Sequence, residues 1–93
     1  MNIIVIGIGK VGYVLLQQLC QEGHNVVAVD RNAALLHVCQ DKLDVAMVVG
    51  NGASVEVQRE AGVESANLVV AVTDSDEVNL LCCIAAHKLG CPN

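Results

Sequence analysis

The chain has 93 residues, enough for one small domain with a modest core. It is 54% hydrophobic with Tyr13 as its single aromatic residue, so the core is built from aliphatic side chains, as in parallel sheets buried on both faces. The net charge is −5 and the five cations are scattered singly, which argues against nucleic-acid binding. The apolar runs are too short to cross a bilayer, and the N-terminus lacks the basic region of a signal peptide, so we expect a cytosolic protein.

Short apolar segments alternate with segments of helical periodicity along the whole chain. The predicted strands are residues 2–6, 25–29, 45–49 and 67–72. The predicted helices are residues 10–22, 33–41, 55–61 and 75–89. This order predicts an α/β fold: a Rossmann-like parallel sheet with helices on both faces and right-handed crossovers. Because a dinucleotide-binding sheet of this kind has six strands, we expect residues 1–93 to form one domain truncated after the fourth βα unit, a fragment of a longer chain.

Polar residues that favour N-cap positions directly precede three of the predicted helices. Asn32 and Ser54 are the predicted N-caps of the second and third helices. Asp74 is the predicted N-cap of the fourth, with Glu77 three positions on as in a capping box. In the second helix, Leu35, Leu36 and Cys39 are expected on one face.

The first predicted strand runs into Gly7-Ile8-Gly9-Lys10-Val11-Gly12, which has the pattern G-x-G-x-x-G and opens a helix. Gly7 permits a tight turn, Gly9 leaves the backbone open to a pyrophosphate, and Gly12 lets the helix pack close to the sheet. The free N–H groups of the helix start attract phosphate. The alternative is a turn with incidental glycines.

Asp30 ends the second predicted strand, eighteen positions after Gly12. A carboxylate there can accept hydrogen bonds from both hydroxyls of an adenosine ribose and would repel a 2′-phosphate, which favours NAD over NADP. The alternative is an Asp that only starts a turn. The neighbouring Arg31 could stack on an adenine, tolerate a phosphate or simply be solvated.

The last two predicted strands also end in polar residues, and ligands of open parallel sheets bind beyond these carboxyl ends. Asn51 could contact an adenine edge through its amide, or could be a turn residue before Gly52. Thr73 is a candidate contact to the nucleotide backbone. The acids that follow, Asp74 among them, would limit the anionic charge that the site accepts.

The last predicted helix is apolar nearly all round, which is typical of a helix buried on two sides. Cys82 lies on the face that we expect to pack on the sheet. Leu80, Cys83 and Ile84 lie on another face, which we expect to contact a partner subunit.

Patterns that carry catalysis are missing. The five cysteines form no CxxC pair, and their odd number in a chain that we expect to be cytosolic argues against a disulfide framework. Cys83, His87 and Cys91 follow one another at four-residue spacing, which leaves a metal site as an alternative, although we expect none. The chain contains no P-loop and no nucleophile elbow, so we predict no catalytic residues.

Residues 50–90, GNGASVEVQREAGVESANLVVAVTDSDEVNLLCCIAAHKLG, closely resemble the RCK (or KTN) N-terminal domain of Trk-type potassium-uptake regulatory proteins. The strings MNIIVIGIGKVGYVLLQQL and NVVAVDRN match the same family, so the resemblance covers essentially the whole chain.

The resemblance implies a cytoplasmic regulatory subunit, not an enzyme, that lies at the inner face of the cell membrane through its partner. It implies binding of NAD or NADH, with ATP or ADP in related members, assembly into a homo-oligomer, and gating of a membrane potassium-translocating subunit. By position, residues 7–11 hold the pyrophosphate, Asp30 the ribose, and Thr73 and Asp74 the nucleotide further along. Asn51 falls where many members carry Asp. Two alternatives remain: the NAD-binding half of a dehydrogenase whose catalytic domain is missing, and an oligomerisation module with a vestigial site.

Overall fold

A computed structural model describes all residues, 1–93, and contains the eight predicted elements. The strands are β1 (Asn2–Ile6), β2 (Asn25–Asp30), β3 (Ala46–Val49) and β4 (Leu68–Ala71). The helices are α1 (Lys10–Gln21), α2 (Ala33–Lys42), α3 (Val55–Glu60) and α4 (Asp76–Lys88), and an unpredicted 3₁₀ turn spans Val63–Ser65. The predicted bounds are confirmed to within one residue at each end. None of the helices has both the length and the apolar composition that crossing a bilayer requires.

The four strands form one parallel sheet in the order β3-β2-β1-β4. β1 is central, and its Ile4 pairs with Val27 of β2 on one side and with Val69 of β4 on the other. The chain adds β2 and β3 on one side of β1 and then crosses back to add β4 on the other. This reversal opens a crevice at the carboxyl ends of β1 and β4, where ligands of such sheets bind.

The core lies on both faces of the sheet because alternate side chains of a strand point to opposite sides. Ile4 and Ile6 pack in one cluster with buried side chains of α4 and of the segment that follows α3. Ile3 and Val5 pack in a second cluster with buried side chains of α1 and α2. The prediction of a Rossmann-like sheet with helices on both faces is therefore confirmed.

Side chains cap three of the helices, two of them as predicted. Asn32 Oδ1 accepts a hydrogen bond from Ala34 N at 3.0 Å, and Ser54 Oγ accepts one from Val57 N at 3.4 Å. The prediction that Asp74 caps α4 is wrong, because Ser75 is the N-cap and its Oγ accepts from Val78 N at 3.2 Å. Helix α4 begins one residue later than predicted, so the capping oxygen that can reach the third helical N–H belongs to Ser75.

The last residues of the chain lie along the outer edge of β4. Val69 N donates to the carbonyl of Asn93 at 2.9 Å, and Asn93 Nδ2 donates to the carbonyl of Asn67 at 3.4 Å. Backbone groups of β4 that face away from β1 are thus partly satisfied within this chain.

Candidate functional site

The carboxyl ends of all four strands surround a cleft of about 670 Å³, within the usual size range of small-molecule sites. Its wall combines the turn after β1, the end of β2, and the loops that follow β3 and β4. Nine of the ten residues that the sequence singled out line it: Gly7, Ile8, Gly9, Lys10, Val11, Asp30, Asn51, Thr73 and Asp74. Gly12 is not part of the wall.

Gly7 makes the sharp turn out of β1, with a φ of +97° that favours glycine. A Cβ on this residue would lie 2.8 Å from Thr73 N and 2.9 Å from the carbonyl carbon of Val72. The turn after β1 and the loop after β4 therefore pack backbone against backbone, which leaves no room for a side chain.

Gly9 is the N-cap of α1 and faces open space in the cleft. Nothing lies within 4 Å of the position that a Cβ would occupy. No side chain caps the helix, and its first turn contains no acidic residue. The first N–H groups of α1, together with the exposed Lys10, thus present partial and full positive charge to the cleft. This arrangement is suited to an anion such as a phosphate.

Gly12 has a packing role one turn further along α1. A Cβ on it would overlap the carbonyl oxygen of Gly7 and would lie 3.4 Å from Val72 Cγ2. The lack of a side chain at Gly12 lets α1 begin directly against the glycine turn, which orients the helix N-terminus toward the cleft.

Asp30 links the glycine turn to the start of α2. Its Oδ2 accepts a hydrogen bond from Ile8 N at 2.7 Å, and its Oδ1 accepts one from Asn32 N at 2.8 Å. Because each carboxylate oxygen has a second lone pair, Asp30 retains acceptor capacity toward the cleft. Burial and, to a smaller extent, the charge of Asp30 raise the pKa of the Cys39 thiol.

We expect Asp30→Asn to lower the free energy of unfolding by about 1–3 kcal/mol, because an amide offers one acceptor oxygen where two backbone N–H groups now bind. Chemical denaturation measures the change. Asp41→Asn, an exposed position on α2, is the matched control. Equal stability of the two variants would contradict a linking role for Asp30.

Thr73 and Asn79 bind each other reciprocally at the end of β4. Asn79 Oδ1 accepts from Thr73 N at 2.8 Å and from Thr73 Oγ1 at 2.6 Å. Asn79 Nδ2 donates to the carbonyl of Thr73 at 3.2 Å. The side chain of Asn79 thus holds the β4–α4 loop in place from within α4, although the sequence did not indicate this role.

Removing the side-chain amide of Asn79 should destabilise the domain. We expect Asn79→Ala to lower the free energy of unfolding by about 2 kcal/mol, since it leaves the half-buried Thr73 N–H without its partner. Thermal or urea unfolding reads out the loss. Lys88→Ala, an exposed change at the other end of α4, should stay within about 0.5 kcal/mol. A loss no larger for Asn79→Ala than for this control would refute the role.

Asn51 forms a turn, which was one of the two roles that the sequence left open for it. Its Oδ1 accepts from Ala53 N at 2.9 Å, and its carbonyl accepts from Ser54 N at 2.9 Å. The side-chain oxygen is therefore used within the loop, and Nδ2 is the group left to meet a ligand. Asp74 is exposed at the opposite rim of the cleft.

Apolar side chains that the sequence did not assign to the site complete the cleft. Leu35 was expected on one face of the helix with Leu36 and Cys39, but it is 40% exposed and lines the cleft, whereas the other two are buried. Val78 and Leu81 add a second apolar wall from α4. Their spacing of three residues near the helix start was the available signal, since such pairs share a face. Apolar walls of this kind suit the flat rings of a base.

The cysteines of α4 divide as predicted. Cys82 is buried, and burial raises the pKa of its thiol, as does the neighbouring Cys83 to a smaller extent. Cys83 is exposed, as are Leu80 and Ile84. The structure contains no group of three or more His, Cys, Asp or Glu side chains placed to hold a metal ion.

The sheet and the cleft together define a Rossmann-like nucleotide-binding fold. The sequence model of the TrkA-N domain family matches residues 3–92, and the chain belongs to this family. The resemblance noted from the sequence is thereby confirmed. The Trk system potassium uptake protein TrkA of Halomonas elongata is 40% identical over 89 residues, which cover 96% of this chain and 20% of that protein. The chain thus spans about a fifth of the length of this relative.

Solved structures share the fold. The NAD(P)-binding domain of an exopolyphosphatase-related protein from Archaeoglobus fulgidus is 25% identical, with a TM-score of 0.81 over 95% of this chain and 65% of that one. The Kef CTD of Shewanella denitrificans in its AMP-bound form is 24% identical, with a TM-score of 0.82 over 95% of this chain and 52% of that one.

Proposed function

We propose that this chain is the nucleotide-sensing domain of a potassium-uptake regulator. It binds NAD or NADH, or ATP or ADP, as a signal and releases the nucleotide unchanged. The observation that carries the proposal is the uncapped N-terminus of α1, which opens into the cleft beside Asp30 in a chain of the TrkA-N family. The names of the two solved relatives, one AMP-bound and one NAD(P)-binding, support an adenosine-containing ligand.

In this proposal each wall of the cleft binds one part of the nucleotide. Residues 7–11 bind the pyrophosphate through backbone N–H groups, since Gly9 leaves them accessible. Asp30 accepts from the ribose hydroxyls with the lone pairs that Ile8 and Asn32 leave free. Its charge disfavours a 2′-phosphate. Leu35 contacts the base from one side of the cleft.

The loops after β3 and β4 contact the rest of the ligand. Asn51 offers Nδ2, and the backbone of the β4–α4 loop lies beside the phosphates near Thr73. The Thr73 hydroxyl is engaged by Asn79 and the Ser75 carbonyl, so we expect a supporting role for it. Asp74 limits the negative charge that the far end of the cleft accepts.

Regulation requires that two nucleotide forms bind two conformations of the protein with different affinities, because only that difference shifts an equilibrium. We place the shift in a homo-oligomer at the cytoplasmic face of the membrane, coupled to a potassium-translocating partner. The exposed apolar surface of α4, formed by Leu80, Cys83 and Ile84, is the surface that we assign to contact between subunits.

Calorimetry of the intact protein with NADH, NAD, ADP and ATP tests the proposal. We expect saturable binding of at least one nucleotide and different affinities within a pair. No binding at millimolar concentration would contradict nucleotide sensing and favour the oligomerisation module. Turnover of NADH with carbonyl substrates would instead favour the dehydrogenase alternative.

A further inference from the structure

Gln58 is the one polar side chain that is fully buried in this domain, at 1% exposure. It lies on α3, does not line the cleft, and contacts two segments that do. Its Nε2 donates to the carbonyl of Gly52 at 2.8 Å and to the carbonyl of Cys82 at 2.9 Å. Because both neighbours are acceptors, the NH₂ end of the amide must face them, which settles the orientation of the side chain.

The side-chain amide of Gln58 also contains a hydrogen-bond acceptor without a donor. Its Oε1 is buried without a hydrogen-bond partner, which is uncommon in folded proteins and unfavourable. An aliphatic side chain would fill the same space without this penalty. The feature that glutamine adds at this position is therefore the pair of donors that joins Gly52 to Cys82.

The two joined carbonyls belong to two different segments, each of which contributes residues to the wall of the cleft. Gly52 lies in the rim loop, residues 50–53, all of which face the cleft. Cys82 lies in the middle of α4, one residue beyond the cleft-lining Leu81 and next to the exposed Cys83. The rim loop has no other side-chain hydrogen bond to α4. Gln58 is thus the polar connection between a ligand-facing loop and the helix that carries the exposed apolar surface.

We propose that Gln58 is a positioning residue that couples occupancy of the rim loop to the stability of the middle of α4. This inference rests on the proposed nucleotide binding. A ligand that holds the rim loop keeps the Gly52–Gln58–Cys82 link closed, and α4 then opens less often. By reciprocity, a partner that holds α4 tightens nucleotide binding by the same factor.

Hydrogen exchange of the intact protein tests the coupling at the amide of Ala86, because in the helix this amide donates to the carbonyl of Cys82. Ala86 does not line the cleft, so direct contact with the ligand does not protect it. With saturating NADH, and separately with ADP, we expect slower exchange at Ala86 as well as in residues 9–13. Protection of residues 9–13 alone would overturn the inference without any variant.

Gln58→Met removes both donors and the unsatisfied oxygen while keeping a long unbranched side chain. We expect it to fold, to weaken nucleotide affinity by about fivefold, and to abolish the ligand-induced protection of Ala86 while that of residues 9–13 remains. Gln40→Met, at an exposed position on α2, is the matched control and should behave as wild type. A Gln58→Met protein that keeps the protection of Ala86 would overturn the inference and leave nucleotide sensing intact. Absence of binding in wild type would overturn the proposed function itself, and this inference with it.

Discussion

Gly12→Ala is expected to destabilise the domain by about 3 kcal/mol, although alanine is the better helix former by about 1 kcal/mol. The added methyl group would overlap the carbonyl oxygen of Gly7. That oxygen belongs to the backbone of a turn whose own position is fixed by close contact with Thr73 and Val72. Neither partner can move aside as a flexible side chain would, so α1 must shift away from the sheet.

Urea unfolding of Gly12→Ala measures the loss in the free energy of unfolding. Gly23→Ala provides a comparison in which the added methyl group clashes with nothing. A Cβ at Gly23 would have no neighbour within 4 Å, so this substitution is opposed by the φ of +84° and not by a clash. A stability of Gly12→Ala within about 1 kcal/mol of wild type would mean that α1 tolerates displacement. The glycine turn would then not require the close packing described above.

Gly9→Ala is the second change with a large expected effect, and it should act on binding while sparing the fold. The residue has a φ of −82°, which alanine adopts freely, and its added methyl group would meet no protein atom within 4 Å. The methyl group would instead occupy the cleft in front of the first N–H groups of α1. We expect stability to change by less than about 1 kcal/mol and nucleotide affinity to fall by about tenfold or more, which corresponds to about 1.4 kcal/mol.

Calorimetry with the nucleotide that binds wild type most tightly provides the measurement. The same substitution three residues apart thus separates two roles of the glycine turn. Gly12→Ala should lower the free energy of unfolding, whereas Gly9→Ala should keep near-wild-type stability and bind the nucleotide about tenfold more weakly or worse. Wild-type affinity in Gly9→Ala would show that no phosphate approaches this part of the backbone, and the assignment of residues 7–11 would have to be abandoned.

The fold was largely predictable because its signals are local. Each strand is a short apolar run, each helix has apolar side chains at helical spacing, and glycine or a capping residue separates them. Helical periodicity did not show which of Leu35 and Leu36 is buried, because adjacent residues point only about 100° apart on a helix. Only the position of α2 against the sheet sets which of the two is buried.

The start of α4 shows a similar limit. Asp74 was the predicted N-cap because Glu77 follows it three positions later, whereas Ser75, a residue type that caps equally well, is the N-cap in the structure. The hydrogen bonds from Asn79 back to Thr73 hold the preceding loop in the conformation that makes Ser75 the cap. The residue at which α4 begins therefore depends on hydrogen bonds made by Asn79, which lies one turn inside the helix.

The sequence by itself determined the order of strands and helices, the glycine turn, the carboxylate at the end of β2, and membership of the TrkA-N family. These follow from local spacing and from motifs read along the chain. The tertiary structure alone decided that Asp30 binds the backbone of Ile8, and that Gln58 joins Gly52 to Cys82. The physical reason is that these hydrogen bonds depend on which elements become neighbours, and the reversal of strand order after β3 brings α3 and α4 together on one face of the sheet.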